Sequence, residues 1–236
     1  MTDLGTVHIA DLDWQAIGED LDKWGFAVTP PLLGPEQCRD LIDLFDVDEA
    51  FRSTIVMSRH ALGEGTYRYF TNPLPPVVER LRVDMYGPLA RIANGWAAQL
   101  GAPGFPDTLD GLIDMCAAAG QERPTPLLLR YWADGYNCLH QDIYGDVAFP
   151  LQVTVMLSVP GGDFTGGENV FVEQRPRAQS RPVVANPRQG EALIFPTRDR
   201  PVPGKLRPKR VVMRHGVSTV HSGERTTLGV IFHNAR

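Results

Sequence analysis

Over residues 126–236 the chain breaks into short apolar runs punctuated by Gly, Pro and Asp, and this texture constrains the fold more than any other feature. The runs are 127–132, 138–144, 151–159, 169–173, 191–195, 210–217 and 226–232. They are rich in β-branched and aromatic residues, as strands of a sandwich are, and seven or eight of them fit a jelly roll. Val153-Thr154-Val155-Met156-Leu157 and Leu228-Gly229-Val230-Ile231-Phe232 are apolar on both faces. One face must therefore point into the sandwich while the other is covered from outside.

The first half of the chain supplies the cover. Leu12, Ile17, Leu21 and Trp24 recur at near-helical spacing, with Gly25 as the stop. A second helix is expected after Gly34-Pro35, carrying Cys38, Leu41, Ile42 and Phe45 on one face. A third, over 76–100, carries Val77, Leu81, Met85, Leu89, Ile92 and Trp96, and Gly87-Pro88 is expected to break or kink it. A short helical piece follows around 112–119. The reading is an α+β chain: a mainly helical support region over 1–125 packed on the sheet of a β core over 126–236, in one compact unit.

With 236 residues, 43% of them hydrophobic, the chain can bury a full core. Cys38, Cys116 and Cys138 are odd in number and widely spaced, which argues against a disulfide framework and for a reducing compartment, the cytoplasm by default. No apolar run approaches the roughly 20 residues that span a bilayer. Charge is uneven: residues 1–60 hold twelve acids against four Lys or Arg, and residues 175–214 hold eleven bases against two acids. The basic stretch (Arg175, Arg177, Arg181, Arg188, Arg198, Arg200, Lys205, Arg207, Lys209, Arg210, Arg214) suits a nucleic-acid backbone, and equally suits a solvated surface balancing the acidic N-terminal region. The two readings stay open, as does the oligomeric state.

His140-Gln141-Asp142 is the chemical signature. On a strand, residues i and i+2 share a side, so His140 and Asp142 can reach one ion with Gln141 turned away. His215, 75 positions on, completes two imidazoles and one carboxylate, a set that occupies one face of octahedral Fe(II) and leaves three positions open. Arg225 follows ten residues later. A guanidinium in an apolar barrel calls for a carboxylate, which its fork matches bidentately. His215 and Arg225 are expected on adjacent antiparallel strands. Among the six histidines, His221 is the rival ligand, but only Ser222, Gly223 and Glu224 would then separate it from Arg225, too few for a strand end and a turn. His233, His8 and His60 have no assigned role, and Cys138 is expected to be a small core residue.

With these residues in place, the C-terminal 110 residues resemble the Fe(II)/2-oxoglutarate-dependent dioxygenase superfamily. The match is carried by Arg130-Tyr131-Trp132-Ala133-Asp134-Gly135 leading to His140-Gln141-Asp142, by Phe164-Thr165-Gly166-Gly167-Glu168, and by the stretch from His215 to Arg225. The ten-residue step is similar to that of prolyl-4-hydroxylase-like members, and a tyrosine nine positions before the first His is similar to AlkB-type demethylases. The resemblance implies a double-stranded β-helix of the cupin-like kind. It implies Fe(II) on His140, Asp142 and His215, 2-oxoglutarate on Arg225 and Tyr131, and O2 consumed to hydroxylate a C–H bond with release of succinate and CO2. Over nearly its full length the chain also resembles a bacterial oxygenase family proposed to repair alkylated DNA. AlkB-type enzymes carry a second arginine six residues after the first, where this chain has Ile231.

The leading expectation is oxidative dealkylation of a nucleic-acid base. The alternatives are a hydroxylase of an amino acid, peptide or small metabolite, and a non-catalytic β-barrel that binds anions. Tyr136, Tyr144 and Trp132 are candidates for stacking on a planar substrate, Asn137 for a polar contact near the metal, and Glu168 for a ligand hydrogen bond.

Overall fold

A computed structural model describes residues 7–175 and 179–236. In chain order come α1 (Trp14–Trp24), β1 (Ala27–Pro31), α2 (Pro35–Leu44), β2 (Phe51–Val56), β3 (Gly63–Glu64), β4 (Thr66–Phe70), α3 (Pro76–Leu100) and α4 (Leu109–Ala118). The β-rich part follows as β5 (Leu127–Trp132), β6 (Tyr136–His140), β7 (Leu151–Met156), β8 (Phe164–Gly166), β9 (Asn169–Gln174), β10 (Arg181–Ala185), β11 (Glu191–Pro196), β12 (Asp199–Val202), β13 (Lys209–Val217) and β14 (Val220–Val230).

Two antiparallel sheets face each other. The larger runs β1-β11-β7-β14-β5-β4-β2, with β8 paired to the start of β14; the smaller runs β10-β9-β13-β6-β3, with β12 on β13. This is the α+β double-stranded β-helix with helices packed on one sheet. Period-two alternation explains the doubly apolar strands. Leu128, Val153, Val155, Ile194, Leu228 and Val230 point outward into a core shared with Leu21, Leu41, Leu81, Met85 and Leu89 of the helices. Their sequence neighbours Leu127, Leu129, Gln152, Thr154, Thr227 and Gly229 line the space between the sheets. Fully burying one such Leu stabilises the fold by about 1.5–3 kcal/mol.

Local signals explain most element ends. Asp13 accepts a hydrogen bond from the Ala16 N–H and caps α1, and Gly25 at φ +80° ends it in the left-handed conformation that glycine adopts without steric cost. Three expectations need correction. Helix α3 runs unbroken through Gly87-Pro88. Its buried stripe, including Met85, Tyr86, Leu89 and Ala90, continues on both sides of the proline and outweighs the lost backbone bond. The 1–125 segment is not only a helical support: β1 pairs with β11, β4 with β5, and β3 with β6, so both sheets extend across residue 125. The strand expected over 138–144 is shifted, spanning Tyr136–His140.

Candidate active site

Register brings the two histidines together. β13 pairs with β6 so that His215 lies opposite His140, their rings 4.3 Å apart, and Phe195 packs edge-on against His215 at 4.8 Å. β6 ends at His140, so Asp142 is delivered by the loop beyond it and not by strand alternation. The backbone N–H of Asp142 donates to the Thr197 carbonyl at 3.3 Å, which holds that loop in place.

His140, Asp142 and His215 each offer a ligand atom, and these atoms lie within 4.8 Å of one another. Nε2 of His215 stands 2.9 Å from Oδ2 of Asp142, and Nε2 of His140 stands 3.6 Å from Oδ1. Nδ1 of His140 is 2.8 Å from the Cys138 carbonyl, so that nitrogen carries the proton and Nε2 presents its lone pair to the cluster. The Tyr144 hydroxyl donates to Asp142 Oδ1 at 2.8 Å. Burial works to raise the Asp142 pKa, but the charges of the histidines and these hydrogen bonds override it and hold the carboxyl well below the usual range. Burial, reinforced by His215, lowers the His140 pKa, so the imidazole is neutral at physiological pH. Neutral imidazoles and an ionised carboxylate are the forms a divalent metal takes.

The cluster opens into a cavity of about 210 Å³ between the sheets. Arg225 lies in its wall, 1% exposed, opposite Tyr131 across the β14–β5 pair. Its Nη2 donates to Asn169 Oδ1 at 3.0 Å, its Nε has no partner, and no carboxylate pairs with it among the described residues. Burial pulls its pKa down to about 10, which still leaves a cation at neutral pH. The guanidinium carbon sits 5.5 Å from the centre of the Tyr131 ring. Tyr131 is fully buried, and its hydroxyl accepts from Asn137 Nδ2 at 3.2 Å. An unpaired buried cation is among the least favourable groups a protein can hold, costing several kcal/mol. The cavity therefore holds one buried positive charge with no acidic partner among the described residues, close to three convergent atoms that could hold a metal ion. The donor set suits Fe(II), and Arg225 with Tyr131 suits the distal carboxylate of a short diacid.

Other expectations fare differently. His215 and Arg225 share the cavity, but β13 and β14 belong to different sheets, so the residues face each other across the sandwich instead of sitting on adjacent paired strands. His221 is exposed on β14. His233 is buried away from the ligand cluster, where Nδ1 accepts the Phe149 N–H at 3.2 Å and burial lowers its pKa to about 4. Cys138 is exposed, not core, because β6 turns that side chain to solvent next to the short strand β3. Trp132 and Tyr136 are exposed and lie outside the cavity lining, whereas Tyr144 lines it and steadies Asp142. Glu168 is engaged by the Ser218 hydroxyl. Asn169, Gln152, Tyr67 and Tyr69 line the cavity without having been singled out in the sequence. None of the four carries a local sequence signal that marks it as cavity-lining.

Much of the basic stretch is internally paired. Arg175 and Arg200 bind Glu173, and Arg198 and Arg210 bind Asp199. Arg181, Arg188, Lys205, Arg207, Lys209 and Arg214 are exposed, and Arg177 lies outside the described residues. No helix of the described residues is long and apolar enough to cross a membrane.

Comparison with known proteins agrees with this geometry. Residues 65–235 match the family Oxygenase-NA, described as "Oxygenase, catalysing oxidative methylation of damaged DNA". An uncharacterized protein of Mycobacterium tuberculosis, Rv2227, is 50% identical over 168 residues, covering 70% of this chain and 72% of the relative. In three dimensions the fold resembles a Pseudomonas putida prolyl-4-hydroxylase (14% identity, TM-score 0.54, 94% of this chain and 99% of the other). It also resembles a 2OG-Fe(II) oxygenase family oxidoreductase from Burkholderia pseudomallei (17%, 0.53, 100% and 97%). A Trichoplax adhaerens prolyl hydroxylase solved with a peptide gives 12% identity, a TM-score of 0.57, and coverage of 94% and 89%.

Proposed function

Because the chain belongs to the Oxygenase-NA family and is an oxygenase of the 2OG-Fe(II) superfamily, we propose that it oxidises the alkyl group of a damaged nucleic-acid base. In this reading His140, Asp142 and His215 hold Fe(II), and Arg225 with Tyr131 holds the C5 carboxylate of 2-oxoglutarate. When bound, iron and 2-oxoglutarate supply the oxidation of a C–H bond by O2, with succinate and CO2 released. A hydroxyl placed on an N-alkyl carbon gives a hemiaminal, which collapses to the repaired base and an aldehyde.

The observation that carries the proposal is the buried, anion-less Arg225 facing the same cavity as three convergent ligand atoms. Each residue has a definable task. The Cys138 carbonyl orients His140 so that Nε2 faces the cluster. Tyr144 occupies one oxygen of Asp142, leaving the other for the metal. Arg225 fixes which end of the diacid lies deep in the wall, and Asn169 fixes Arg225. Leu127, Leu129, Phe171 and Phe195 keep the cavity apolar and exclude bulk water. The exposed bases Arg181, Arg188, Lys205, Arg207, Lys209 and Arg214 add positive charge for a polyanionic substrate. All three thiols are free, which suits the reducing cytoplasm as the place of action.

The test is succinate release with Fe(II), 2-oxoglutarate and O2 over a panel of alkylated oligonucleotides, free amino acids and peptides. Turnover coupled to aldehyde release on an alkylated oligonucleotide is the expected result. Coupled hydroxylation of an amino acid or peptide, with no oligonucleotide oxidised, would replace this reading by the small-molecule one.

A further inference from the structure

Tyr69 and Tyr144 line one part of the cavity, and their rings meet edge to face at 6.3 Å. Three arginines distant in sequence gather around that pair. Arg52 lies with its guanidinium 4.6 Å over the Tyr69 ring and donates through Nε to the Pro124 carbonyl at 3.0 Å. Arg123, next to that proline, is joined to Ala235 by reciprocal backbone hydrogen bonds of 2.9 and 2.8 Å. Arg236, next to Ala235, donates its backbone N–H to the Tyr144 carbonyl at 3.4 Å. One side-chain and three backbone hydrogen bonds thus tie 52, 123 and 236 into one rim beside the two tyrosines.

The charge on this rim is not balanced from within. Arg236 pairs with Asp146, but neither Arg52 nor Arg123 has an acidic partner among the described residues. Burial lowers the Arg52 pKa, and the charge of nearby Arg123 acts in the same direction. Two like charges held close together are relieved by an anion that bridges them. The most basic stretch of the sequence is a weaker candidate for this place. Four of its bases are ion-paired, and the tip of the β12–β13 hairpin stands six residues from His215 along β13, about 20 Å at strand rise.

We propose that Arg52 and Arg123 form a phosphate-binding rim that seats the phosphodiester next to the damaged nucleotide while its base enters the cavity that Tyr69 and Tyr144 line, toward the metal ligands. This rests on the nucleic-acid reading above and assigns the phosphate contact to residues outside the 175–214 stretch. The rim charges would hold the backbone and the tyrosines would offer edges and faces to a planar base, the combination that single-strand-binding sites use.

The test is fluorescence anisotropy of a labelled single-stranded oligonucleotide carrying one alkylated base, titrated with wild type, Arg123→Ala, Arg123→Glu and Arg52→Lys at several salt concentrations. No turnover is required for this readout. Wild type should bind with a log–log salt slope that includes about 0.7 for each rim phosphate contact. Arg123→Ala should weaken binding about tenfold and remove roughly one contact from the slope, Arg123→Glu should weaken it further, and Arg52→Lys should retain most of it. Wild-type affinity and slope in Arg123→Glu, with wild type itself binding tightly, would overturn the rim and leave the nucleic-acid reading standing. Absence of salt-dependent binding by wild type would overturn both.

Discussion

Replacing Arg225 by Met should separate what this residue does for the fold from what it does for a ligand. Burial lowers its pKa from 12.5 to about 10, so holding it charged at neutral pH disfavours the ligand-free fold by roughly 3 kcal/mol. Methionine removes that penalty. It also removes the charged hydrogen bond to Asn169, which contributes about 1.5–3 kcal/mol. The two nearly cancel, so Arg225→Met should unfold in urea within about 1 kcal/mol of wild type, far from the 3–5 kcal/mol expected when a member of a buried ion pair is lost. The ligand response should change completely. Wild type with Mn(II) in place of iron and 2-oxoglutarate at 100 times its Kd should gain about 2.7 kcal/mol, and the variant should gain almost none of the 2-oxoglutarate part. Denaturation with and without the diacid measures both quantities. A variant destabilised by more than 3 kcal/mol that still responds to 2-oxoglutarate would show that Arg225 is structural and that the diacid sits elsewhere.

Other outcomes follow from the same geometry. His140→Ala, Asp142→Ala and His215→Ala should each abolish iron-dependent succinate release while keeping the fold, as read by circular dichroism. Tyr144→Phe removes the donor to Asp142 Oδ1 and should weaken Mn(II) binding about 10- to 100-fold, measured by paramagnetic resonance of free Mn(II). His233 gives a pH signature: its folded pKa of about 4 lies below the unfolded 6.5, so the unfolded chain binds the extra proton between these values. Stability is complete above pH 6.5 and falls by roughly 3 kcal/mol as pH drops through that window, and His233→Asn should flatten that fall in urea midpoints. Gly167→Ala should raise the 2-oxoglutarate KM, because φ is +64° there and an added Cβ would lie 2.8 Å from Arg225 Cδ.

Much of this was readable in the residues, and the reasons differ from place to place. Seven of the ten strands of the C-terminal half declared themselves because turn formers bound them and because double-sided apolarity required a covered face, whereas the short or polar β8, β10 and β12 did not. The four strands between 27 and 70 did not, since Phe51–Val56 and Thr66–Phe70 mix arginine and tyrosine with β-branched residues and lack a clean alternation. β1, β3 and β4 take their partners, β11, β6 and β5, from far along the chain, and pairing at that separation leaves no local mark. Gly87-Pro88 suggests a break or kink because its local penalty is plain, while the buried stripe that carries the helix through it depends on tertiary contacts. Residue type and spacing named His140, Asp142, His215 and Arg225, the family resemblance added Tyr131, and the folded chain brings all five to one cavity. Spacing gave the wrong route for two of them: Asp142 arrives on a loop, and Arg225 faces His215 from the opposite sheet. Arg52, Arg123 and Arg236 are assembled only by folding, so a count of charge along the chain pointed to 175–214 instead.

The most direct measurement is an anaerobic equilibrium titration of Fe(II), then 2-oxoglutarate, into wild type, His215→Ala and His221→Ala. One iron per chain followed by one diacid is expected for wild type and for His221→Ala, with the iron lost in His215→Ala. Undiminished iron and 2-oxoglutarate binding in His215→Ala would contradict the assignment of these side chains to a single metal centre.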